Sequence, residues 1–222
     1  MSISNEHMSS LKSRPYRMRR RAEHMDETRQ RITAATARLH TTVGPAKTSV
    51  AAIAEEAGVT RLTVYRHFAD LDVLFEACRA HWRAENPPPD ATAWSVIPGL
   101  EARTRTALSR LYAWYRTHAD ELFPIYRDIS TMPESSQARM RDENRRLGDL
   151  LVGDSKARKA DGRLLAAAAR HVLDYRTWRS LAVVQGLSDA DAVEVGVRLV
   201  TALGEDRGPR GPVRPRRCRD AA

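Results

Sequence analysis

Between Thr60 and His67 the chain sets Thr60, Arg61, Leu62, Thr63, Tyr65, Arg66 and His67 almost side by side. A guanidinium can donate two hydrogen bonds to the O6 and N7 edge of guanine, and a Leu side chain or Thr methyl can touch the thymine methyl. Phenol and imidazole groups can donate to phosphate oxygens, which positions a protein on a duplex without reading its sequence. Arg61, Leu62 and Thr63 are therefore the expected base contacts. Ser49, Tyr65, His67 and Thr48 are the expected phosphate contacts, and Arg66 suits either role. Enzymatic chemistry has no comparable constellation. There is no Gly-rich phosphate loop, nucleophile elbow, His-Glu-x-x-His or Cys-x-x-Cys spacing. Cys78 and Cys218 are far apart and suggest neither a disulfide nor a metal site. No catalytic residue, metal or cofactor is expected.

Such side chains must be held rigidly, and residues 48–68 supply the means. Thr48 or Ser49 suits an N-cap. Val50, Ile53, Ala54 and Ala57 then recur at helical spacing. Gly58 stands where that helix must stop, a position suited to positive φ. Thr60 caps a second short helix, whose Val64 and Phe68 are four apart and face the first. Two helices this short cannot stand alone. A basic, polar outer face on the second matches a recognition helix entering a major groove.

The run Ile32…Ala35…Leu39…Gly44…Thr48-Ser49-Val50-x-x-Ile53-Ala54-x-x-Ala57-Gly58-Val59-Thr60-x-x-Thr63-Val64-Tyr65-x-x-Phe68…Leu74 resembles the N-terminal domain of TetR-type (tetracycline-repressor-like) bacterial regulators, over about residues 27–82. The resemblance implies an all-α chain, a homodimer, and a divergent C-terminal domain that often binds a small effector. One position departs from the pattern. The family usually has Lys three residues after the Phe, whereas this chain has Leu71 between Asp70 and Asp72.

The chain divides into five expected regions. Residues 1–25 read as a disordered basic arm with Lys12, Arg14, Arg17, Arg19, Arg20 and Arg21. It is either an arm on the DNA backbone or minor groove or a solubilising tail. Residues 26–69 form the helix-turn-helix domain, whose first helix spans Asp26–Thr42 and buries Ile32, Ala35, Leu39 and Val43. Residues 70–85 form a connecting helix. Residues 86–204, after the Asn86-Pro87-Pro88-Pro89-Asp90 breaker, form a helical ligand-binding and dimerisation domain. Residues 205–222 are a second basic disordered tail.

Within the large domain, helices are expected at 101–117, 118–130 with Pro124 inside, 134–151, 162–185 and 188–203. Ser188-x-x-Asp191 resembles a capping box. Ala192, Val195, Gly196, Leu199 and Leu203 make one apolar face of the last helix, and Val193, Val197 and Val200 make another. A helix apolar on two sides must be buried on two sides. Helices 162–185 and 188–203 are thus the expected homodimer interface. Trp114, Tyr115, His118, Tyr126, His171, Tyr175 and Trp178 are the candidate effector pocket, and the same residues serve equally as ordinary core.

The 222 residues are 42% hydrophobic and 29% charged, which suits a soluble globular protein. The net charge of +9 favours a polyanionic partner. No apolar run approaches the ~20 residues that span a bilayer, and no secretory signal is evident, so cytoplasmic residence with no membrane partner is expected. The function that follows is sequence-specific binding of double-stranded DNA at a palindromic operator. The expected regulator is a repressor released by a small-molecule effector. Two alternatives stand beside it: an effector-independent DNA-binding protein acting mainly through charge, and an interaction protein that has lost specific DNA reading.

Overall fold

The computed structural model describes residues 6–153 and 159–204, and every regular element within them is helical. Helix α1 spans Glu6–Thr42, α2 Val50–Glu56, α3 Arg61–His67 and α4 Leu71–Glu85. They are followed by α5 Thr92–Ser95, α6 Leu100–Thr117, α7 Ala119–Arg127 and α8 Glu134–Val152. The last are α9 Lys159–Val172, α10 Tyr175–Trp178 and α11 Asp189–Gly204, with a π-helical stretch Arg179–Val184 before α11. The expected tail at 205–222 lies outside the described residues.

Of the described residues, one compact unit comprises those up to Pro89 together with Trp114–Glu143. Its N-terminal core is a single cluster of Ile32 and Ala35 from α1, Ile53, Ala54 and Ala57 around α2, Val64 and Phe68 around α3, and Leu74 from α4. Leu39 and Val50 pack against it, partly buried. Val43, expected in the buried stripe, is 41% exposed, because the helix has ended at Thr42 and the chain is turning there. Helix α1 packs on α2, α4 and α7. Cys78 is buried beside His40, with Sγ 3.5 Å from Nδ1.

Residues 6–25, expected to be disordered, are instead the first half of α1, which is 37 residues long. From Tyr16 to Met25 the sequence is rich in Arg and Met and contains neither Gly nor Pro, so its helix propensity is high. Extending a helix already nucleated by a packed segment adds one hydrogen bond per residue fixed and avoids the nucleation cost.

The chain after α1 turns through Gly44, whose φ is 95°, into a short 3₁₀ turn at Pro45–Lys47. That turn is held by Asp128, just beyond α7. The buried Asp128 carboxylate accepts the Ala46 N–H at 3.1 Å and is gripped by Arg127 through Nε at 2.7 Å and Nη2 at 2.8 Å. Arg127 Nη2 also donates to the Val43 carbonyl at 2.9 Å. The Arg127 hydrogen bonds are the main reason that the Asp128 pKa lies below its ordinary value. A side chain at Gly44 would strike Asp128 and Arg127. Helix α7 runs through Pro124 and ends at Arg127, followed by a 3₁₀ turn at Ile129–Thr131. On α8, Glu143 pairs with both Arg79 and Arg83 of α4.

The second unit comprises Asp90–Ala113 and the described residues from Asn144 onward. Helix α11 packs on α9 and on the π-helical stretch. Tyr112 donates its hydroxyl to the Val172 carbonyl at 2.8 Å, and burial pushes its pKa well above the ordinary phenol value, so it stays a neutral donor. The expected single helix 162–185 is broken at Leu173-Asp174. There the Asp174 carboxylate caps a new helix start, accepting the Arg176 N–H at 2.7 Å. Ser188 accepts the Asp191 N–H at 3.1 Å and donates to the Asp191 carboxylate at 2.6 Å. On α11 the apolar faces divide differently from the expected grouping. Ala192, Val193, Gly196, Val197 and Val200 are all buried, and Val195 and Leu199 are exposed.

Candidate nucleic-acid interface

Local bonding dictates the geometry of α2, the turn and α3. Ser49 caps α2, its hydroxyl oxygen accepting the Ala52 N–H at 3.1 Å. Helix α2 closes with the Val59 N–H donating to Ala54 O at 2.9 Å and the Gly58 N–H to Glu55 O at 3.0 Å. This paired closure needs a left-handed residue, and Gly58 supplies it with φ 63°. Thr60 then caps α3, accepting the Thr63 N–H at 3.1 Å, and its hydroxyl lies 2.9 Å from that of Thr63.

Two arginines from α1 clamp this unit from behind. Arg31 Nη2 donates to the Ala57 carbonyl at 2.5 Å and the Gly58 carbonyl at 3.1 Å. Arg29 Nη1 donates to the His67 carbonyl at 2.6 Å, and its guanidinium sits 4.0 Å from the Phe68 ring centroid. Neither arginine belongs to a sequence motif. The one signal in the sequence is their position just before Ile32, off the buried stripe of α1.

Helix α3 therefore has a fixed inner face and a free outer one. Val64 and Phe68 are buried, whereas Leu62 is 77% exposed and Tyr65 50% exposed. Arg61 and Arg66 are exposed, and Thr63 and His67 are half-buried. An exposed Leu flanked by Arg61 and Thr63 offers donors and an apolar contact at the capped start of the helix. Burial, chiefly, and the charges of Arg66 and Arg29 lower the His67 pKa below its ordinary value. At neutral pH His67 is then an uncharged donor. Ser49 is exposed, and its hydroxyl hydrogen is not needed for the cap. Thr48 is half-buried and donates to Gly44 O at 2.9 Å.

Leu71 opens α4 and is 41% exposed, offering no donor where a Lys would. Its acidic neighbours are engaged in structure. Asp70 caps the Asp72 N–H at 2.8 Å, and Asp72 accepts the Ser135 hydroxyl at 2.8 Å.

The seven residues of the candidate effector set fall in both units. In the first unit Trp114, Tyr115 and His118 join Trp82 in an aromatic cluster. The Trp82–Trp114, Trp82–His118 and Trp114–His118 ring centroids are 5.8, 5.4 and 5.1 Å apart. Glu121 accepts the Trp82 indole N–H at 2.7 Å. Tyr126 is half-buried on α7. In the second unit Tyr175 and Trp178 are fully buried core residues, the latter donating to Asp189 at 3.0 Å. His171 lines an open cleft of about 530 Å³, together with Asn144, Arg170, Asp174, Arg176 and Thr177 among others. Among the described residues there is no His, Cys, Asp and Glu group that could hold a metal ion, and no helix is long and apolar enough to cross a membrane.

Residues 32–78 match the family model of bacterial regulatory proteins, tetR family. A solved structure described as a TetR-like transcriptional regulator from Rhodococcus sp. RHA1 is similar in fold, with a TM-score of 0.50 and 21% sequence identity. The similarity covers 78% of this chain and 93% of that one. No curated protein matches the chain.

Proposed function

We propose, for a chain whose residues 32–78 match the family model of bacterial regulatory proteins, tetR family, a homodimeric repressor that an effector releases from a palindromic operator. The observation that carries the reading is the outer face of α3. A helix of seven residues is capped by Thr60, anchored by Val64 and Phe68, and left with Arg61, Leu62, Tyr65 and Arg66 exposed. Its capped N-terminal end would meet base edges, with Ser49, Tyr65 and His67 on phosphates. Two copies would place two such helices about one helical turn, ~34 Å, apart.

Exposed Leu164, Val183, Val184, Val195 and Leu199 support the dimer reading. All five lie on α9, the π-helical stretch and α11, elements that pack on one another. The effector would be a small, at least partly apolar molecule held by helices within 100–185. It can release the operator only as far as it binds the non-binding state more tightly.

The test is binding of the purified protein to duplex DNA from its own gene neighbourhood and to a scrambled duplex, each at two salt concentrations. Preference for the native fragment that persists at the higher salt is expected. Equal binding to both, vanishing as salt rises, would leave only a charge-driven DNA-binding protein. Absence of binding at low salt would leave an interaction protein.

A further inference from the structure

We infer that the helical extension of α1 is a second DNA-binding element, lying on the phosphate backbone of duplex that flanks the half-site read by α3. This rests on the DNA-binding reading of α3 and adds a separate surface to it.

Direction is the first support. Near its C-terminal end α1 meets α4, where His40 stacks on Phe75 with ring centroids 4.6 Å apart. Further back, Arg31 holds the α2–α3 turn and Arg29 holds the C-terminal carbonyl of α3. The helix therefore runs, traced backward, from α4 toward the recognition helix, and its continuation leaves the unit beside α3. At 1.5 Å per residue, Arg19–Arg21 lies roughly 15 Å beyond Arg29–Arg31.

Exposure and charge are the second support. Residues 18–27 are all exposed, and Tyr16 and Met18 are 62% and 68% exposed. The sequence places Lys12, Arg14, Arg17, Arg19, Arg20 and Arg21 within ten residues. Between Met8 and Met25 a single carboxylate offsets them, Glu23, which pairs with Arg19 at 3.0 Å. An exposed helical stretch carrying Arg19, Arg20 and Arg21 matches the duplex, with one phosphate charge per ~1.7 Å of axis. Leu71 supplies no phosphate donor at the start of α4, so a basic element continuous with α3's own unit also fills an electrostatic gap.

The experiment uses the full chain, a duplex selected by it from a random-sequence pool, and the triple variant Arg19→Ala, Arg20→Ala and Arg21→Ala. Alanine keeps the helix propensity high, so charge alone is removed. The slope of log K against log salt should become less negative by about 0.9 for each phosphate that the variant no longer neutralises. Hydroxyl-radical protection should disappear on the flanking duplex and persist on the half-sites. An unchanged slope with unchanged flanking protection would overturn the inference while leaving the α3 reading intact. A variant with altered sedimentation and unaltered protection would make the extension a self-association helix, which also overturns it. Failure of the wild-type chain to select any duplex would sink the α3 reading first, and this one with it.

Discussion

On the proposed reading, the residues of α3 separate into those that would read bases and those that would hold phosphates. Arg61 stands one residue after the Thr60 cap, exposed, at the end of the helix proposed to enter a major groove. Replacing it with Ala should cost ~1–3 kcal/mol on the preferred duplex and relax preference at one base pair. Binding measured across a set of single-base variants checks this; an unchanged profile would remove Arg61 from the reading surface. Tyr65, half exposed one turn further on, should behave differently. Tyr65→Phe should weaken every duplex alike, since a phosphate contact carries no base information. These roles follow from residue types and the 3.6 period alone, and both side chains do face outward. The support behind them is not legible in the same way. Arg29 and Arg31 act through backbone carbonyls, and a carbonyl has no residue code.

His40 is a residue-scale case of another kind. It is buried against Cys78 and Phe75, and burial pushes its pKa down to about 4, from an ordinary 6.5. The folded ring stays neutral where the unfolded ring takes a proton. Stability should thus be complete above pH 6.5, fall as pH drops below it, and finish its loss near pH 4. The full loss is roughly 3 kcal/mol. A His40→Leu variant should escape this loss, so its melting temperature relative to the parent should rise as pH falls from 7.5 to 4.5. A constant difference would mean that His40 is not held neutral.

At the scale of elements, the short helices are the legible ones, because each carries its own punctuation. Ser49, Gly58 and Thr60 mark their ends, and all three act as caps or turn residues in the fold. The first half of α1 is illegible to the same reading, because its exposed residues present no apolar stripe to mark a helix. The break at Leu173-Asp174 is hidden for another reason: Asp within a helical pattern is compatible both with a solvated face and with a cap. Tyr175 and Trp178, which begin and end the short helix after that break, are both buried. The Asp128 tie leaves no trace at all, since 82 residues separate it from Ala46. Its consequence is testable. Asp128 fixes the 3₁₀ turn immediately before the Ser49 cap, so it restrains the entry to the helix-turn-helix. In Asp128→Asn an amide cannot accept at both positions, and one Arg127 or Ala46 bond goes unmade. The expected cost is ~1–3 kcal/mol. Hydrogen exchange should show faster exchange at the α2 amides than in the parent. Reduced global stability with no selective change at α2 would make Asp128 an ordinary buried carboxylate.

For the whole molecule the decisive matter is whether two copies act together. The expectation that α11 is apolar on two sides holds in a modified form. One face, with Ala192, Val193, Gly196, Val197 and Val200, is consumed by the unit's own core, and Val195 and Leu199 remain outside at 44% and 41% exposure. The grouping of Ala192 and Gly196 with Val195 does not hold, because small residues fit either a core or an interface, and only packing distinguishes them. If α9 and α11 meet their copies across a two-fold axis, each residue near that axis meets its own equivalent or a close neighbour. Leu199→Asp then places two like charges in the same desolvated interface, where an unpaired buried carboxylate is strongly unfavourable. Within the monomer the site is already exposed, so the fold itself should change in stability by no more than about 0.5 kcal/mol. Sedimentation should show the mass halved with the helical signal intact. Affinity for a two-half-site duplex should fall far more than affinity for a single half-site, because linkage of two reading heads supplies an effective concentration that separate monomers lack. A Leu199→Asp chain that still sediments as a dimer and keeps its advantage on the double site would move the interface to another surface, and with it the spacing expected between the two recognition helices.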